Sequence, residues 1–158
     1  MNARTLSHYI NGEFTGADGT LESVNPSDTN DIVARFPEGG AAEVDAAVRA
    51  AQGAQKGWAD ASPEVRSDLL EKIAVALFAR SAELGELLAR EEGKTIAEGT
   101  GETLRAARIF RYFSGEALRR HGLTLDSTRP GLDVATYREA VGVVGLITPW
   151  NFPIAIPA

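Results

Sequence analysis

Val141-Gly142-Val143-Val144-Gly145-Leu146-Ile147-Thr148-Pro149-Trp150-Asn151-Phe152-Pro153 is the stretch that decides how this chain reads. Residues 141 to 147 are apolar on both faces, as a strand in the middle of a parallel sheet is. The run then enters a loop stiffened by prolines and aromatics, so the pattern predicts an asparagine held at the carboxyl end of a buried strand. Ligands bind at that edge in open α/β sheets. Two readings of Asn151 stand on the residues alone. In one, its carboxamide bonds nearby backbone in a proline-rich turn. In the other, a neutral amide held in place donates a hydrogen bond to an oxyanion that develops during a reaction.

A buried strand needs neighbours on both edges, yet no second strand of this kind and no βαβ unit follows it. The pattern therefore predicts an incomplete α/β fold, the first part of something larger. Working back toward the start, Leu123 to Leu125 and Val134 to Arg138 read as extended segments around a turn at Arg129-Pro130-Gly131. Residues 42 to 118 carry a helical period. Val44, Ala47, Val48, Ala51 and Trp58 predict one buried stripe, and Ser62-Pro63 restarts a helix with Ser as N-cap and Pro at the first helical position. Val65, Leu69, Leu70, Ile73 and Leu77 hold its packing face. Ser81 is the expected cap of a third helix carrying Leu84, Leu87 and Leu88, which Gly93 ends in the left-handed conformation. A fourth runs from about Thr95 to Arg119 and packs through Leu104, Ile109, Phe110, Phe113 and Leu118. The front of the chain predicts a small β-meander. Its parts are His8 to Ile10, a type I′ turn at Asn11-Gly12, Glu13 to Thr15, a turn at Asp18-Gly19, Leu21 to Val24, a turn at Asn25-Pro26-Ser27-Asp28, and Ile32 to Phe36.

Composition narrows the function classes. The chain has 158 residues, a formal charge of −6 and no cysteine. A net acidic chain without clustered cations argues against a nucleic-acid partner. Arg119, Arg120 and His121, the densest basic group, read as complementing a helix dipole. Without cysteine there is no disulfide, no thiolate metal site and no thiol nucleophile here. Residues 140 to 158 are uncharged over a membrane-spanning length, but prolines at 149, 153 and 157, with Gly142, Gly145 and Asn151, argue against a membrane helix. Residues 1 to 9 hold no apolar stretch of signal-peptide length, so a cytoplasmic location is the default expectation.

Other candidates for chemistry are weaker. Gly93-Lys94-Thr95 ends like a phosphate-binding loop, but Leu88 stands where the earlier glycine belongs and a helix precedes it, so Lys94 reads as a solvated lysine at a helix end. His8 and His121 have no carboxylate cluster at ligand spacing, and no metal site is expected. Glu91, Glu92, Glu98 and Glu102 read as solvated helical charges with no catalytic role.

The strand running into Pro149-Trp150-Asn151-Phe152-Pro153 resembles the signature of the aldehyde dehydrogenase superfamily. Tyr9-Ile10-Asn11-Gly12 is similar to that family's opening hairpin, Asn25-Pro26 to its next turn, and Arg138-Glu139 to its lead into the strand, although Ala140 stands where proline is usual. The resemblance covers essentially the whole chain. It implies the amino-terminal part of that fold: residues 1–121 and 141–158 in a partial NAD(P)-binding domain of Rossmann type, 122–140 as an arm for oligomerisation, and no catalytic domain. It also implies a small aldehyde substrate, NAD or NADP as cofactor, and a homodimer or homotetramer for the whole protein. Chemistry of this family uses a cysteine thiolate and a glutamate-activated water, neither of which matches a residue here. Asn151 matches the asparagine that holds the oxyanion, and the backbone of Ile147, Thr148, Pro149, Trp150 and Asn151 matches the segment lying along the cofactor. A finer resemblance joins residues 25–31, 91–95 and 147–157 to dehydrogenases of α-ketoglutaric semialdehyde, with succinate semialdehyde as the alternative substrate. The reading from another class is a short oligomerisation or binding module that pairs with a full-length dehydrogenase.

Overall fold

The computed structural model describes residues 3–16, 20–119 and 121–158. Strands β2 (His8–Ile10) and β3 (Glu13–Thr15) pair antiparallel with Tyr9 opposite Phe14. Asn11 and Gly12 join them with φ of 55° and 82°, the two left-handed conformations a type I′ turn requires. The turn expected at Asp18-Gly19 lies outside the described residues. Strand β4 (Thr20–Val24) runs antiparallel to β5 (Ile32–Pro37), with a register shift at Ser23/Val24. The meander is broken, however. Residues Arg4–Thr5, for which the sequence pattern predicts no strand, form β1 and pair parallel with β5, giving the order β1-β5-β4. With both edges of β5 taken, the β2–β3 hairpin is left as a separate two-stranded sheet.

The turn between β4 and β5 is tied by Asn25, which accepts from Ser27 N–H at 2.9 Å and donates to Asp31 at 3.1 Å. Arg90 then grips both oxygens of Asp31, at 2.9 and 2.6 Å. This fork fastens the turn to the third helix. The Arg90 hydrogen bond, helped by Asn25, holds the Asp31 carboxyl down from its ordinary 3.8 to about 2. A depressed carboxylate contributes stability that is complete above its ordinary value and fades as pH falls through the lowered one. Acid titration is therefore expected to loosen the chain between pH about 4 and about 2, and Asp31→Asn to remove part of that dependence. Chemical unfolding measured at several pH values checks it; an unchanged profile in the variant would refute the assignment.

Four helices follow: α1 (Ala41–Asp60), α2 (Pro63–Ala79), α3 (Ser81–Glu92) and α4 (Ile96–Ala117). Ser62 caps α2 by accepting from Val65 N–H, with Pro63 in its first turn, as the sequence predicts. Arg66 reaches back from α2 to the final carbonyl groups of α1, closest at 2.6 Å to that of Ala61. Ser81 does not cap α3. It is the first helical residue, and the cap position belongs to Arg80, whose guanidinium forks onto Glu83 at 2.9 and 2.8 Å. The stripe expected on α1 is not buried either: Val44, Val48 and Trp58 stay exposed. Periodicity marks a face able to be covered, and among the described residues no large surface lies against it. Val65, Leu69, Phe113 and Leu118 are likewise exposed.

The core lies where α4 packs on α2 and α3, and small residues set it. Ala74, Thr103, Ala106 and Ala107 are fully buried, with Leu88 as the one large side chain among them. At the α3–α4 crossing the backbones nearly touch, since a Cβ on Gly99 would sit 2.4 Å from the carbonyl oxygen of Gly85. Gly99→Ala gains about 1 kcal/mol of helix propensity but forces the helices apart, an overpacking cost of about 1–3 kcal/mol. A net loss of stability is expected in denaturant titration, and a gain would show that the crossing yields easily.

After α4, strands β6 (Thr124–Asp126) and β7 (Asp133–Ala135) pair antiparallel, every residue exposed. Arg119 pairs with Glu116 at 2.9 Å and His121 is exposed, while Arg120 lies outside the described residues. Residues 141–147 depart from expectation. They form no strand, and Val141, Val144, Leu146 and Ile147 face solvent. A strand exists only when its N–H and C=O groups find a partner, and among the described residues none lies alongside. No described helix is long and apolar enough to cross a membrane.

Candidate active site

The segment carrying Asn151 is held from below by the junction of α3 and α4. Gly93 ends α3 at φ 78°, its N–H bonded to Ala89 C=O at 2.8 Å. A Cβ there would meet Pro26 Cγ at 2.8 Å, so the 25–31 turn packs against this reversal. Thr95 and Glu98 then cap α4 reciprocally: Glu98 N–H donates to Thr95 Oγ1 at 3.2 Å, and Thr95 N–H to Glu98 Oε2 at 3.0 Å. Lys94, caught between the two helices, has its side chain directed inward, only 16% exposed.

Its ammonium meets two carboxylates, Glu92 Oε2 and Glu102 Oε2, each at 2.5 Å. It also donates to the backbone carbonyl of Asn151 at 3.3 Å and lies 5.0 Å from the Phe152 ring centroid, within cation–π range. Glu102 is 4% exposed. Its other oxygen accepts from Ile154 N–H at 2.9 Å and Ala155 N–H at 3.2 Å. One carboxylate thus takes up an ammonium and two backbone donors, which is what makes its burial tolerable. Burial works to raise the Glu102 pKa, but the hydrogen bonds from Lys94, Ile154 and Ala155 outweigh it and hold the group ionised below its ordinary value. Burial works to lower the Lys94 pKa, and the two carboxylates reverse that.

Both residues overturn their sequence reading as solvated charges. A signal was available for Glu102. It shares a helical stripe with Gly99, Thr103, Ala106 and Ala107, all buried, so a carboxylate sat on the packing face of α4. Glu92, also read as solvated, is Lys94's neighbour in sequence and shares its part-buried position, but that pairing alone does not mark burial, which comes from Glu102 eight residues on and Asn151 57 residues on.

Above this clamp, Trp150, Asn151 and Pro153 border an open cleft of about 690 Å³ with Ser23 and residues 91–94. Asn151 is exposed, and among the described residues its carboxamide makes no hydrogen bond. Only its main-chain oxygen is engaged. The reading in which the side chain bonds nearby backbone therefore finds no support in this geometry, and the amide is available to a ligand. Trp150 joins Asn151 at the cleft, 86% exposed. Ile147, Thr148 and Pro149 are exposed and do not border it. Another cleft, of about 390 Å³, lies away from these residues between the end of α1 and residues 138–142. It gathers no such constellation. No group of three potential metal ligands occurs among the described residues.

A family model described as the aldehyde dehydrogenase family matches residues 14–158. The alpha-ketoglutaric semialdehyde dehydrogenase of Bacillus subtilis is 40% identical over 155 residues, 97% of this chain and 32% of that protein. The alpha-ketoglutarate semialdehyde dehydrogenase of Haloferax volcanii is 39% identical over 153 residues, 96% of this chain and 32% of the relative. Among solved structures, PnpE in complex with nicotinamide adenine dinucleotide superimposes with a TM-score of 0.89 at 34% identity, covering 96% of this chain and 31% of its own. The chain therefore spans about a third of the length of the curated relatives it matches.

Proposed function

The chain belongs to the aldehyde dehydrogenase family, and from that premise we propose that it supplies the Asn151-bearing amino-terminal part of an NAD(P)-dependent enzyme that oxidises a semialdehyde to the carboxylate. The observation that carries this reading is the unengaged Asn151 carboxamide on a backbone tied down by Lys94 and Glu102. When a nucleophile adds to an aldehyde, the carbonyl oxygen gains negative charge, and a donor already in place stabilises it without reorganising. Asn151 has that chemistry. The nucleophile comes from outside this chain, which contains no cysteine.

In this reading the segment 147–150 is the stretch along which the dinucleotide lies. Ile147 and Trp150 offer open apolar surface on this segment. Ile147, Thr148, Pro149, Trp150 and Asn151 are the residues we assign to this contact, and bound NAD(P)+ supplies the acceptor for the hydride. The exposed 141–147 run becomes a strand of the cofactor-binding sheet once neighbours pair with it, and the β6–β7 hairpin serves as the arm between subunits.

For the substrate, the resemblance at residues 25–31, 91–95 and 147–157 and the names of the two relatives point to α-ketoglutaric semialdehyde. Steady-state assays test both halves of the reading. The full-length enzyme is expected to show a higher kcat/KM for α-ketoglutaric than for succinate semialdehyde, and the 158-residue chain alone to give no NAD(P)-linked oxidation of either. Preference for succinate semialdehyde replaces the substrate, while turnover by the pure chain defeats the proposal as a whole.

A further inference from the structure

We infer that Lys94 and Glu102 are positioning residues for Asn151: a largely buried ion pair that fixes both ends of the turn from 151 to 155, at whose start the oxyanion donor stands, and leaves its side chain free. The inference rests on the oxyanion role proposed for Asn151 and adds two residues to it.

Three observations carry it. First, the contacts bracket the turn that begins at the asparagine. Lys94 takes the carbonyl of Asn151 itself, and Glu102 takes the amides three and four residues later, so the turn from 151 to 155 is held at both ends by one pair. Second, the pair is anchored on rigid elements. Glu102 stands on the buried stripe of α4, and Lys94 is fixed between the left-handed end of α3 and the capped start of α4. Third, all the hydrogen bonds to the turn are with main chain. Lys94 and Glu102 place the Asn151 backbone without occupying its carboxamide, as a donor kept for a ligand requires.

The physical case turns on preorganisation. An oxyanion donor works in proportion to how little it must move when charge develops, and a misplacement of about 1 Å costs about 10²-fold in rate. A turn rich in prolines is stiff within itself yet free to tilt as a unit. The pair removes that tilt. Glu92 supports it from the other side by keeping the ammonium charged and in place. The charges therefore act through geometry, and neither touches the reacting atoms.

A double-mutant cycle in the full-length enzyme separates positioning from mere folding. Lys94→Met is expected to lower kcat about tenfold with KM for the aldehyde nearly unchanged. Lys94→Arg, which keeps the charge and the donors, is expected to recover most of that loss. In an Asn151→Ala background, Lys94→Met then changes kcat by less than about twofold, because nothing remains to be positioned. The same tenfold loss in both backgrounds means the lysine supports the fold alone and overturns the inference. So does full activity of Lys94→Met. If Asn151→Ala itself keeps wild-type turnover, the oxyanion reading falls and this one with it. A large loss from Asn151→Ala with an additive Lys94→Met defeats only the positioning role. Glu102→Gln, closer in shape, gives the same cycle if Lys94→Met does not fold. In the unsubstituted enzyme, slow amide hydrogen exchange at Ile154 and Ala155 is expected, and exchange at the rate of an open loop contradicts the clamp.

Discussion

Asn151→Ala in the full-length enzyme is expected to lower kcat by about 10²–10³, equivalent to about 2.7–4 kcal/mol of transition-state stabilisation, with little change in cofactor affinity. The size follows from what the side chain does and does not touch. Among the described residues the carboxamide bonds to no protein group, so its removal breaks no internal contact, and the main-chain anchor through Lys94 is retained in the variant. The loss should therefore appear in turnover with almost none in stability. Single-turnover kinetics beside a thermal melt make the comparison. Wild-type turnover would remove Asn151 from the oxyanion role, and a melt lowered by several degrees would show that the side chain supports the fold. Asn151→Asp, similar in shape but presenting an anion to an anion, should be no better than alanine.

Glu102→Ala is expected to lower stability by about 3 kcal/mol. The carboxylate is buried, and its loss strips the ammonium of Lys94 of one counter-charge and leaves the Ile154 and Ala155 N–H groups without an acceptor. For a chain of this size, 3 kcal/mol corresponds to about 6–12 °C in melting temperature. The pH dependence carries a sign. Because the folded-state pKa of Glu102 is lowered, its ionised contribution is complete above the ordinary carboxylate range and disappears as pH falls through the lowered value. The gap between wild type and variant should thus be widest near neutrality and close in acid. A loss below about 1 kcal/mol at pH 7 would mean that the 151–155 turn is held by its own prolines and aromatics. Glu102→Gln, which keeps an acceptor for the amides, should fall between the two.

These expectations differ in how far each could be seen from residues alone. Asn151 was visible because its role is announced by neighbours in sequence: an apolar run, then Thr148-Pro149-Trp150 before it and Phe152-Pro153 after. Helix ends were visible for the same reason. Ser62-Pro63, Thr95 and Gly93 act on backbone within four residues of themselves, so their meaning is local. The Asn11-Gly12 turn is another case, its two positive φ values being a demand few other residue pairs meet. Ser81 shows the limit even here, since Arg80 took the cap position next to it.

What only the tertiary structure decided involves partners far apart in the chain. The pairing of β1 with β5 joins residues about 30 positions apart, and no local pattern marks a two-residue strand. Lys94 and Glu102 read as solvated charges until α4 and the 151–155 turn were brought against each other, because the burial of a charge depends on the surface that meets it. The reverse error occurred at 141–147 and on α1, where apolar patterns promised burial that the described residues do not provide. Sequence by itself determined which faces are able to be buried and which backbone geometries are able to form. Whether a face is covered, and which charge is drawn into the interior to hold a loop, is settled by the free energy of contacts between distant segments. That free energy is set by neither segment alone, even where, as with Glu102 on the packing stripe of α4, one of them carries a hint of it.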